Sequence, residues 1–533
     1  GTFNSLDRNT SITLSASDIL AGTGGFDLSS LTGDDGNYVL HIGNSDGTSA
    51  DVSINGGHKA FSHTPPDGYT GWASDDYTAP DYQGIDYFDA TIYEGNGSGQ
   101  RVGDFVPFTD AYTVTNSALF NDDDTRILSK TFGGSGDRRT MTFSTWAKWT
   151  NPAGSGQIIF SSGTSLSDRF EIEFASADNI TIFSKVSNST ILNLGSTIDL
   201  ADTSQWVNIV VSIDTDQAST AERYRLFVNG VQQTLTVTTD SLTSGDGSAD
   251  SGDQLHLNSG VQHNIGGRAS GITAAYFDGY LAETVFIDGA RLDASSFGQV
   301  DTSTNRWVPK SVSGLTFGTN GFYLEYKVAT GTGNGVGTDS AGSNHFAQEG
   351  TWATTDQFID TPSKNFATLD DSRNQTNNLS EGNLKIGPGD SNWDSTQVTI
   401  GGLTSGKWYL EFTPETAGSN IMLALSPNTV DSSASTLAYG LNEYAYYFVN
   451  GQIYSNSASL GSYGAAVGAG VVVGMAIDLD AGKLYFARNN TWENSGNPAT
   501  GANPGVRTVT GVAYNIIVSL TNSITTDDNV INF

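Results

Sequence analysis

Residues 276–307, YFDGYLAETVFIDGARLDASSFGQVDTSTNRW, decide the fold class. The first half of this stretch is rich in apolar, aromatic and β-branched residues, which favour a β-strand. Asp288-Gly289 is a turn pair, and residues 292–295 have the pattern of a short helical turn. The stretch therefore predicts a strand, a tight turn and a short helical exit.

The length and composition indicate several β-rich domains. A chain of 533 residues is too long for a single hydrophobic core and indicates about three domains. Its 63 glycines and 21 tyrosines, with many Ser, Thr, Asn and Asp residues, indicate an all-β protein with many turns. There is no cysteine, so disulfides cannot stabilise the fold.

The charge of the chain excludes two classes of partner. Its 57 acidic and 24 basic residues give a net charge of −33. Such a field repels nucleic acid and anionic membrane surfaces, so we expect neither nucleic-acid binding nor membrane insertion. No apolar run is long enough to span a membrane. Because the sequence starts at Gly1, we expect a processed chain or a fragment of a longer one.

Alternating apolar and polar residues predict half-buried strands on both sides of the opening stretch. The predicted strand segments are residues 141–149, 170–174, 180–183, 206–213, 224–228, 406–412 and 474–486. Hairpin turns are predicted at Asn229-Gly230 and at residues 480–482.

Two of these groups of strands resemble known families. Residues 276–307, together with 205–230, resemble a concanavalin A-like (laminin-G-type) jelly roll as found in structural proteins of tailed-bacteriophage virions. GKWYLEF at 406–412 and residues 474–486 resemble a SPRY domain. DTPSKNF at 360–366 resembles the junction between such domains in the same phage proteins.

The resemblance implies an all-β chain of tandem β-sandwiches. Residues 1–110 are predicted to form a reduced SPRY-like β module with a linker strand, 111–310 the jelly roll, 311–365 an extended connector and 366–533 a SPRY-like sandwich. VSINGGHKAFSHTPPDGY at 52–69 resembles the SPRY exit that would follow Phe533. We therefore expect the chain to be a window on a longer tandem protein.

Large aromatic residues on the alternating strands give a prediction for the core. Trp146, Trp206, Phe227 and Phe286 are expected to pack together between two sheets, and Trp408 is expected in the core of the second sandwich.

By the same resemblance, the function would be that of a non-enzymatic phage virion protein of the tail-fibre or appendage type. It would display lectin-like sandwiches for host-surface or glycan binding. Its partners would be other virion proteins, copies of itself, and a host-surface glycan or receptor, and its location the virion. A glucanase-like depolymerase and a bacterial or prophage extracellular adhesin remain the alternatives.

The enzyme alternative depends on two carboxylates. Glu171 and Glu173 lie two apart, so both point to one face of a strand, as in laminarinase-type glucanases with the pattern E-x-D-x-x-E. In this chain Ser176 stands where that pattern has its last Glu. We therefore expect a solvated strand face and no catalytic residues.

Aromatic residues in loop-like segments are the candidates for ligand binding, because exposed rings stack on sugars and anchor protein contacts. These are Trp352, Trp393, Tyr444, Tyr446, Tyr447 and Trp492.

Two acidic segments could supply oxygen ligands to calcium, the one cofactor considered, although no cofactor is required by the sequence. They contain Asp122, Asp123 and Asp124, and Asp246, Asp250 and Asp253. The alternative is that both are ordinary polar turns. The six histidines lack the spacing of zinc ligands, and there is no cysteine.

Overall fold

A computed structural model describes residues 112–533, with gaps at 152–155, 176–178, 199, 201, 243–254, 270–274, 302–303, 390–392, 416–419, 428–443, 457, 508–511 and 522–528. Before residue 112 it describes the short strands β1 (Ile42–Gly43), β2 (Ser49–Ala50) and β3 (Thr70–Gly71). The predicted SPRY-like module at 1–110 otherwise lies outside the described residues. The structure is 4% helix and 49% strand, which confirms the all-β fold.

The first sandwich consists of two sheets, and segment 311–365, predicted as an extended connector, contributes strands to both. Its strands are β4 (Ser117–Phe120), β5 (Ile127–Thr131), β6 (Thr140–Trp149), β7 (Gln157–Ser165), β8 (Asp168–Phe174), β9 (Ile180–Val186), β10 (Ser189–Ser196), β11 (Val207–Asp214), β12 (Tyr224–Val228), β13 (Val231–Gln232), β14 (Leu235–Asp240), β15 (Gln262–Ile265), β16 (Gly279–Asp288), β17 (Gly298–Val300), β18 (Trp307–Pro309), β19 (Phe322–Leu324), β20 (Ala347–Glu349) and β21 (Gln357–Phe358). Sheet 1 has the order β14-β10-β9-β8-β7-β15-β5-β20. Sheet 2 has the order β13-β12-β11-β6-β16-β4-β21, with β19 also paired to β16. Short helices span Thr220–Arg223, Ala294–Ser296, Gly335–Gly337 and Thr354–Asp356.

The second sandwich also consists of two sheets. Its strands are β22 (Leu369–Asn374), β23 (Asn378–Ser380), β24 (Lys385–Gly387), β25 (Asp394–Val398), β26 (Lys407–Thr413), β27 (Ile421–Pro427), β28 (Tyr444–Tyr447), β29 (Gln452–Ser455), β30 (Ala458–Ser462), β31 (Val473–Asp478), β32 (Lys483–Arg488), β33 (Thr491–Trp492), β34 (Val506–Arg507), β35 (Tyr514–Leu520) and β36 (Asn529–Asn532), with a 3-10 turn at Glu493–Ser495. Sheet 3 has the order β22-β25-β35-β27-β28-β29-β30, and sheet 4 has the order β23-β24-β36-β26-β31-β32-β33. Among the described residues, no helix is long and apolar enough to cross a membrane.

The predicted hairpin turns are confirmed. Asn229 and Gly230, between β12 and β13, have φ values of 46° and 79°. Positive φ at both positions is the requirement of a type I′ turn, and Asn-Gly satisfies it at the lowest steric cost. In the second sandwich, β31 and β32 pair up to Asp478 and Lys483, so the turn falls where residues 480–482 predict it.

The core of the first sandwich lies between sheets 1 and 2. Phe143 on β6 stacks on Phe160 of β7, with ring centroids 4.6 Å apart and planes 1° from parallel. Phe286 on β16 stacks on Phe322 of β19 at 5.7 Å. The period-2 alternation of these strands directs one set of side chains into this core and the other set away from it.

The predicted packing of Trp146, Trp206, Phe227 and Phe286 in one inter-sheet core is wrong. All four are buried, but only Phe286 lies in the core between sheets 1 and 2. Trp146 and Trp206 face the second sandwich, and Phe227 packs on the outer side of sheet 2. The reason is that sheet 2 is covered on both faces, so an aromatic residue on either face is buried. Trp408 is buried in the second sandwich, as predicted.

A buried ion pair joins the two sandwiches. Lys148 on β6 and Asp360 in the DTPSKNF segment are both fully buried, with Nζ 2.8 Å from Oδ2. The Lys148 ammonium also donates to the Asn365 side chain at 2.9 Å and to the Phe366 carbonyl at 2.5 Å. The other Asp360 oxygen accepts the Trp206 indole N–H at 2.8 Å. Both charges are therefore hydrogen-bonded, which a buried pair requires.

Contacts around this ion pair extend the junction. Trp146, Trp206 and Tyr280 belong to one continuous apolar cluster with the core of the second sandwich. The Tyr280 hydroxyl donates to the Gly382 carbonyl at 2.9 Å. Gly382 has φ +67°, and a Cβ there would stand 2.1 Å from that hydroxyl, so the close approach requires glycine. The Asn383 amide also donates to the Thr150 carbonyl at 2.7 Å.

This junction gives a first prediction. Replacing Lys148 with Met leaves the Asp360 carboxylate buried without its cation, so the free energy of unfolding should fall by about 3–5 kcal/mol. Adding Asp360→Asn to Lys148→Met should recover part of that loss. Urea unfolding measures both effects. Lys327→Met is the matched control, because Lys327 pairs with Glu325 at the surface and should cost at most about 1 kcal/mol. Equal losses for the two lysine variants would contradict the role of the buried pair.

A second buried carboxylate lies in a β-bulge. Glu283 has φ 50°, at the point where the register between β16 and β6 shifts. Its carboxylate accepts hydrogen bonds from the hydroxyls of Tyr323 at 2.5 Å and Tyr112 at 2.7 Å. Burial raises the pKa of Glu283 to about 7, although the two hydroxyls act in the opposite direction.

The raised pKa predicts the pH dependence of stability. The folded state holds a proton on Glu283 up to about pH 7, whereas the unfolded chain loses it near 4.5, so stability should fall as pH rises between these values. Glu283→Gln removes this titration. The free energy of unfolding of the variant minus that of wild type should therefore increase by about 3 kcal/mol from pH 4.5 to pH 8, at 1.36 kcal/mol per pKa unit. A difference that stays constant across this range in chemical unfolding would contradict the prediction. Glu325→Gln controls for the loss of a nearby charge.

Candidate ligand-binding site

Three half-buried aromatic rings lie side by side on the outer face of sheet 3. Trp393 directly precedes β25, Tyr447 ends β28 and Tyr454 lies on β29. The ring centroids of Trp393 and Tyr447 are 5.9 Å apart, and those of Tyr447 and Tyr454 are 5.8 Å apart. We call these three residues the aromatic strip. It is a continuous row of rings that runs from the start of β25 to β28 and β29 on one face of sheet 3.

The sheet beneath the strip explains its position. On β27, Leu423 and Leu425 point into the core of the second sandwich, so Met422 and Ala424 point to the other face. Met422 and Ala424 form the floor of the strip together with Ala445 and Ile517. Short side chains at Ala424 and Ala445 leave room for the large rings to lie along the sheet, which fixes them without burying them fully.

Polar groups border the aromatic strip. The Tyr447 hydroxyl donates to the Asn420 side-chain oxygen. The Tyr454 hydroxyl donates to Gln452 Oε1 at 3.1 Å, and Ser459 Oγ donates to the same oxygen at 2.8 Å. Ring faces beside amide and hydroxyl groups provide both kinds of contact that a sugar uses, apolar C–H faces and hydroxyls. The arrangement is chemically suited to carbohydrate binding.

The structure separates the other predicted aromatic residues from this strip. Tyr446 is a correction: its ring is fully buried in the core of the second sandwich and stacks on Phe486 at 4.7 Å, so no ligand can reach it. Tyr444, two residues earlier on β28, is half-buried against the same core. Because side chains alternate along a strand, only Tyr447 of this aromatic run points outward beside Trp393.

The two remaining tryptophans occupy separate places. Trp352 packs edge-on against Phe120 of the first sandwich at 5.3 Å. Trp492 packs against Tyr409 and Tyr485 on the outer face of sheet 4. Both are partly exposed, but neither joins a row of rings comparable to the strip. Tyr454, which sequence reasoning missed, lies on β29, a strand that was not predicted, where it alternates with the core residue Ile453.

Glu171 and Glu173 share the outer face of sheet 1, because Phe170, Ile172 and Phe174 on the same strand fill the core. The expected solvated strand face is wrong for Glu171, which is buried and paired with two guanidinium groups, Arg169 at 2.9 Å and Arg268.

Glu173 is less buried than its neighbour, and burial followed by the charge of Glu171 raises its pKa. A raised pKa at one of two neighbouring carboxylates is a feature of acid–base pairs. Both arginines nevertheless pair with the same oxygen of Glu171, Oε1, which opposes a nucleophilic role for that oxygen. Ser176 lies outside the described residues.

The calcium candidates are only partly described. Asp246, Asp250 and Asp253 lie outside the described residues. On the turn after β4, Asp124 pairs with Arg126, while Asp122 and Asp123 are exposed. In the part of the chain that the structure describes, no three acidic or imidazole side chains are grouped as a ready-made metal centre.

Comparison with known proteins supports the fold of the first sandwich. Residues 121–295 match the family model of the concanavalin A-like lectin/glucanases superfamily. The first sandwich is thus a concanavalin A-like, laminin-G-type jelly roll, as the sequence predicts. No curated protein matches the chain.

Several solved structures are similar to parts of the chain at low identity. The SPRY domain of human HERC1 is 15% identical, with 31% of this chain and 95% of that chain covered and a TM-score of 0.24. A SAP-like pentraxin from Limulus polyphemus is 16% identical, with coverage of 34% and 80% and a TM-score of 0.25. A putative carbohydrate binding protein from Bacteroides ovatus is 15% identical, with coverage of 45% and 59% and a TM-score of 0.31.

Proposed function

We propose that this protein is a non-enzymatic carbohydrate-binding protein that binds glycan through the aromatic strip of its second sandwich. The observation that carries the proposal is the row formed by Trp393, Tyr447 and Tyr454, half-buried and bordered by amide and hydroxyl groups. Half-buried rings lose little conformational freedom on binding, so their contact area contributes to affinity at a small entropic cost.

The biological setting is the second part of the proposal. The protein would belong to a phage virion appendage of the tail-fibre type, with other virion proteins and copies of itself as partners and a host-surface glycan or receptor as ligand. Support comes from the DTPSKNF junction, whose Asp360 joins the two sandwiches. A rigid pair of sandwiches would hold binding surfaces at fixed spacing, and repeated copies would raise a weak single-site affinity. A bacterial or prophage adhesin would use the same surface at another location.

A glycan-binding experiment tests the first part of the proposal. The intact protein is applied to an array of bacterial surface polysaccharides, and the Kd of the best ligand is measured for variants. Because an aromatic contact contributes about 0.5–1.5 kcal/mol beyond its area, Trp393→Ala should weaken binding by roughly 10-fold. Trp352→Ala is the matched control, since this half-buried indole lies on the other sandwich, and it should leave the Kd unchanged.

Two results would contradict the proposal for the strip. Retained affinity in Trp393→Ala and Tyr454→Ala, with unchanged melting temperatures, would place the binding surface elsewhere. Loss of binding in Trp352→Ala but not in Trp393→Ala would move it to the first sandwich.

A second candidate function is glycoside hydrolysis at Glu171 and Glu173, because these carboxylates share one strand face and the pKa of Glu173 is raised. We expect no release of reducing ends from laminarin or from the best array ligand. Release that persists through purification and disappears in both Glu171→Gln and Glu173→Gln would establish the enzyme and overturn the non-enzymatic proposal.

A further inference from the structure

The part of the second sandwich that carries the aromatic strip is uncharged. Residues 444–477, which include β28, β29 and β30, contain no Asp, Glu, Lys or Arg, although 15% of the whole chain is charged. The described side chains that form the floor of the strip or hydrogen-bond to its rings are uncharged as well. A ligand at the strip therefore meets neutral groups in a protein whose net charge is −33.

Two charged residues lie close to the strip in sequence or on the same sheet, and neither is directed at it. Asp394 follows Trp393, but it is 1% exposed and its carboxylate accepts a hydrogen bond from the Thr376 hydroxyl at 2.8 Å. Arg373 stands on β22, four places from β28 in the order of sheet 3, and its guanidinium donates to Gln397 at 3.1 Å. An acidic polysaccharide would thus be repelled by the net charge of the chain without a compensating cation among the described residues at the strip.

The side chain of Gln452 provides hydrogen-bond donors beside the rings. Gln452 on β29 lies directly opposite Tyr447 on β28, so the two side chains share the outer face of sheet 3. Its Oε1 atom accepts the hydroxyls of Tyr454 and Ser459, and the Asn450 amide donates to the same Tyr454 hydroxyl at 3.4 Å. Because Oε1 is already used twice, the two N–H groups of Gln452 Nε2, which make no hydrogen bond within the described part of the chain, remain for a ligand.

The orientation of the rings limits the shape of the ligand. The planes of Trp393 and Tyr447 are 58° apart, and those of Tyr447 and Tyr454 are 82° apart. Rings tilted in this way cannot all lie flat on one planar polysaccharide surface, whereas a single chain that turns between successive sugars can follow them. Stacking accepts any sugar with an apolar face, so the choice between sugars falls to the polar groups beside the rings.

We propose that the aromatic strip selects an uncharged, single-chain glycan and that Gln452 determines its specificity. The Nε2 group of Gln452 donates a hydrogen bond to a hydroxyl oxygen of the sugar that packs beside Tyr447 and Tyr454. A neutral hydroxyl is satisfied by such a donor, whereas a sugar carboxylate would lose its water shell without gaining an opposite charge. This inference rests on the proposed function and names the class of glycan that the strip binds.

The ligand class is tested with the intact protein on the array of bacterial surface polysaccharides, divided into uncharged and acidic ones. The strongest binders should be uncharged, and their Kd should change little with salt concentration, because no pair of charges forms on binding. Strongest binding to acidic polysaccharides would overturn the proposal, as would a Kd that weakens steeply with salt. Stronger retention on microcrystalline cellulose than on soluble uncharged polysaccharides would contradict the single-chain ligand.

The role of Gln452 is tested by two substitutions. Gln452→Glu keeps an acceptor for Tyr454 and Ser459 but removes the N–H donors, and Gln452→Met removes the donors without adding a charge. Each should weaken binding of the best uncharged ligand about 3- to 10-fold, the effect of losing one hydrogen bond between neutral groups. Ala458→Glu is the matched control. It adds the same charge at an exposed position of β30 that lies opposite Ser455 and hence on the other face of the sheet, so the Kd should stay unchanged.

The outcomes separate this inference from the proposed function. Weaker binding in Trp393→Ala with an unchanged Kd in both Gln452 variants would overturn the role of Gln452 and leave glycan binding at the strip intact. An equal loss in Gln452→Glu and Ala458→Glu, with none in Gln452→Met, would assign the effect to charge and also overturn it. An unchanged Kd in Trp393→Ala and in both Gln452 variants, with unchanged melting temperatures, would overturn both proposals.

Discussion

The ion pair between Lys148 and Asp360 is the interaction on which the arrangement of the two sandwiches depends. Both side chains are fully buried, and every donor of the ammonium group finds an acceptor, two of which belong to the short segment after Asp360. A buried ion pair contributes modestly to stability. Removing only one partner is costly, however, because the other is then an uncompensated buried charge. It therefore fixes the register in which the second sandwich packs on sheet 2. The continuous apolar cluster around Trp146 and Trp206 then provides the stabilising burial.

A junction of this type has a consequence for recognition. Because the cores are continuous, the first sandwich and the aromatic strip of the second should move as one body. A ligand bound at the strip would then be held at a fixed position relative to the jelly roll, and several copies of the chain could present strips with a defined spacing.

Much of the fold could be predicted from the sequence because strand periodicity and turn chemistry are local. The Asn229-Gly230 turn and the alternating strands of both sandwiches follow from these rules. However, what packs against each face of a strand is decided by residues that are distant in the sequence. The pattern of β6 indicates that Trp146 and Phe143 lie on opposite faces, but only the packing of the second sandwich on sheet 2 reveals that both faces are buried. For the same reason, Tyr446 and Tyr447 look equivalent in sequence, although Tyr446 lies in the core and Tyr447 belongs to the aromatic strip.

We expect the two sandwiches to unfold as one cooperative unit, because the buried pair joins them. Native-state hydrogen exchange followed by mass spectrometry tests this, with peptides from β11 reporting on the first sandwich and peptides from β31 on the second. Both peptides should reach the same opening free energy and the same dependence on denaturant, as expected for a single global unfolding step. An opening of one sandwich at lower denaturant, while the other stays protected, would show that the cores are independent and would contradict the claim.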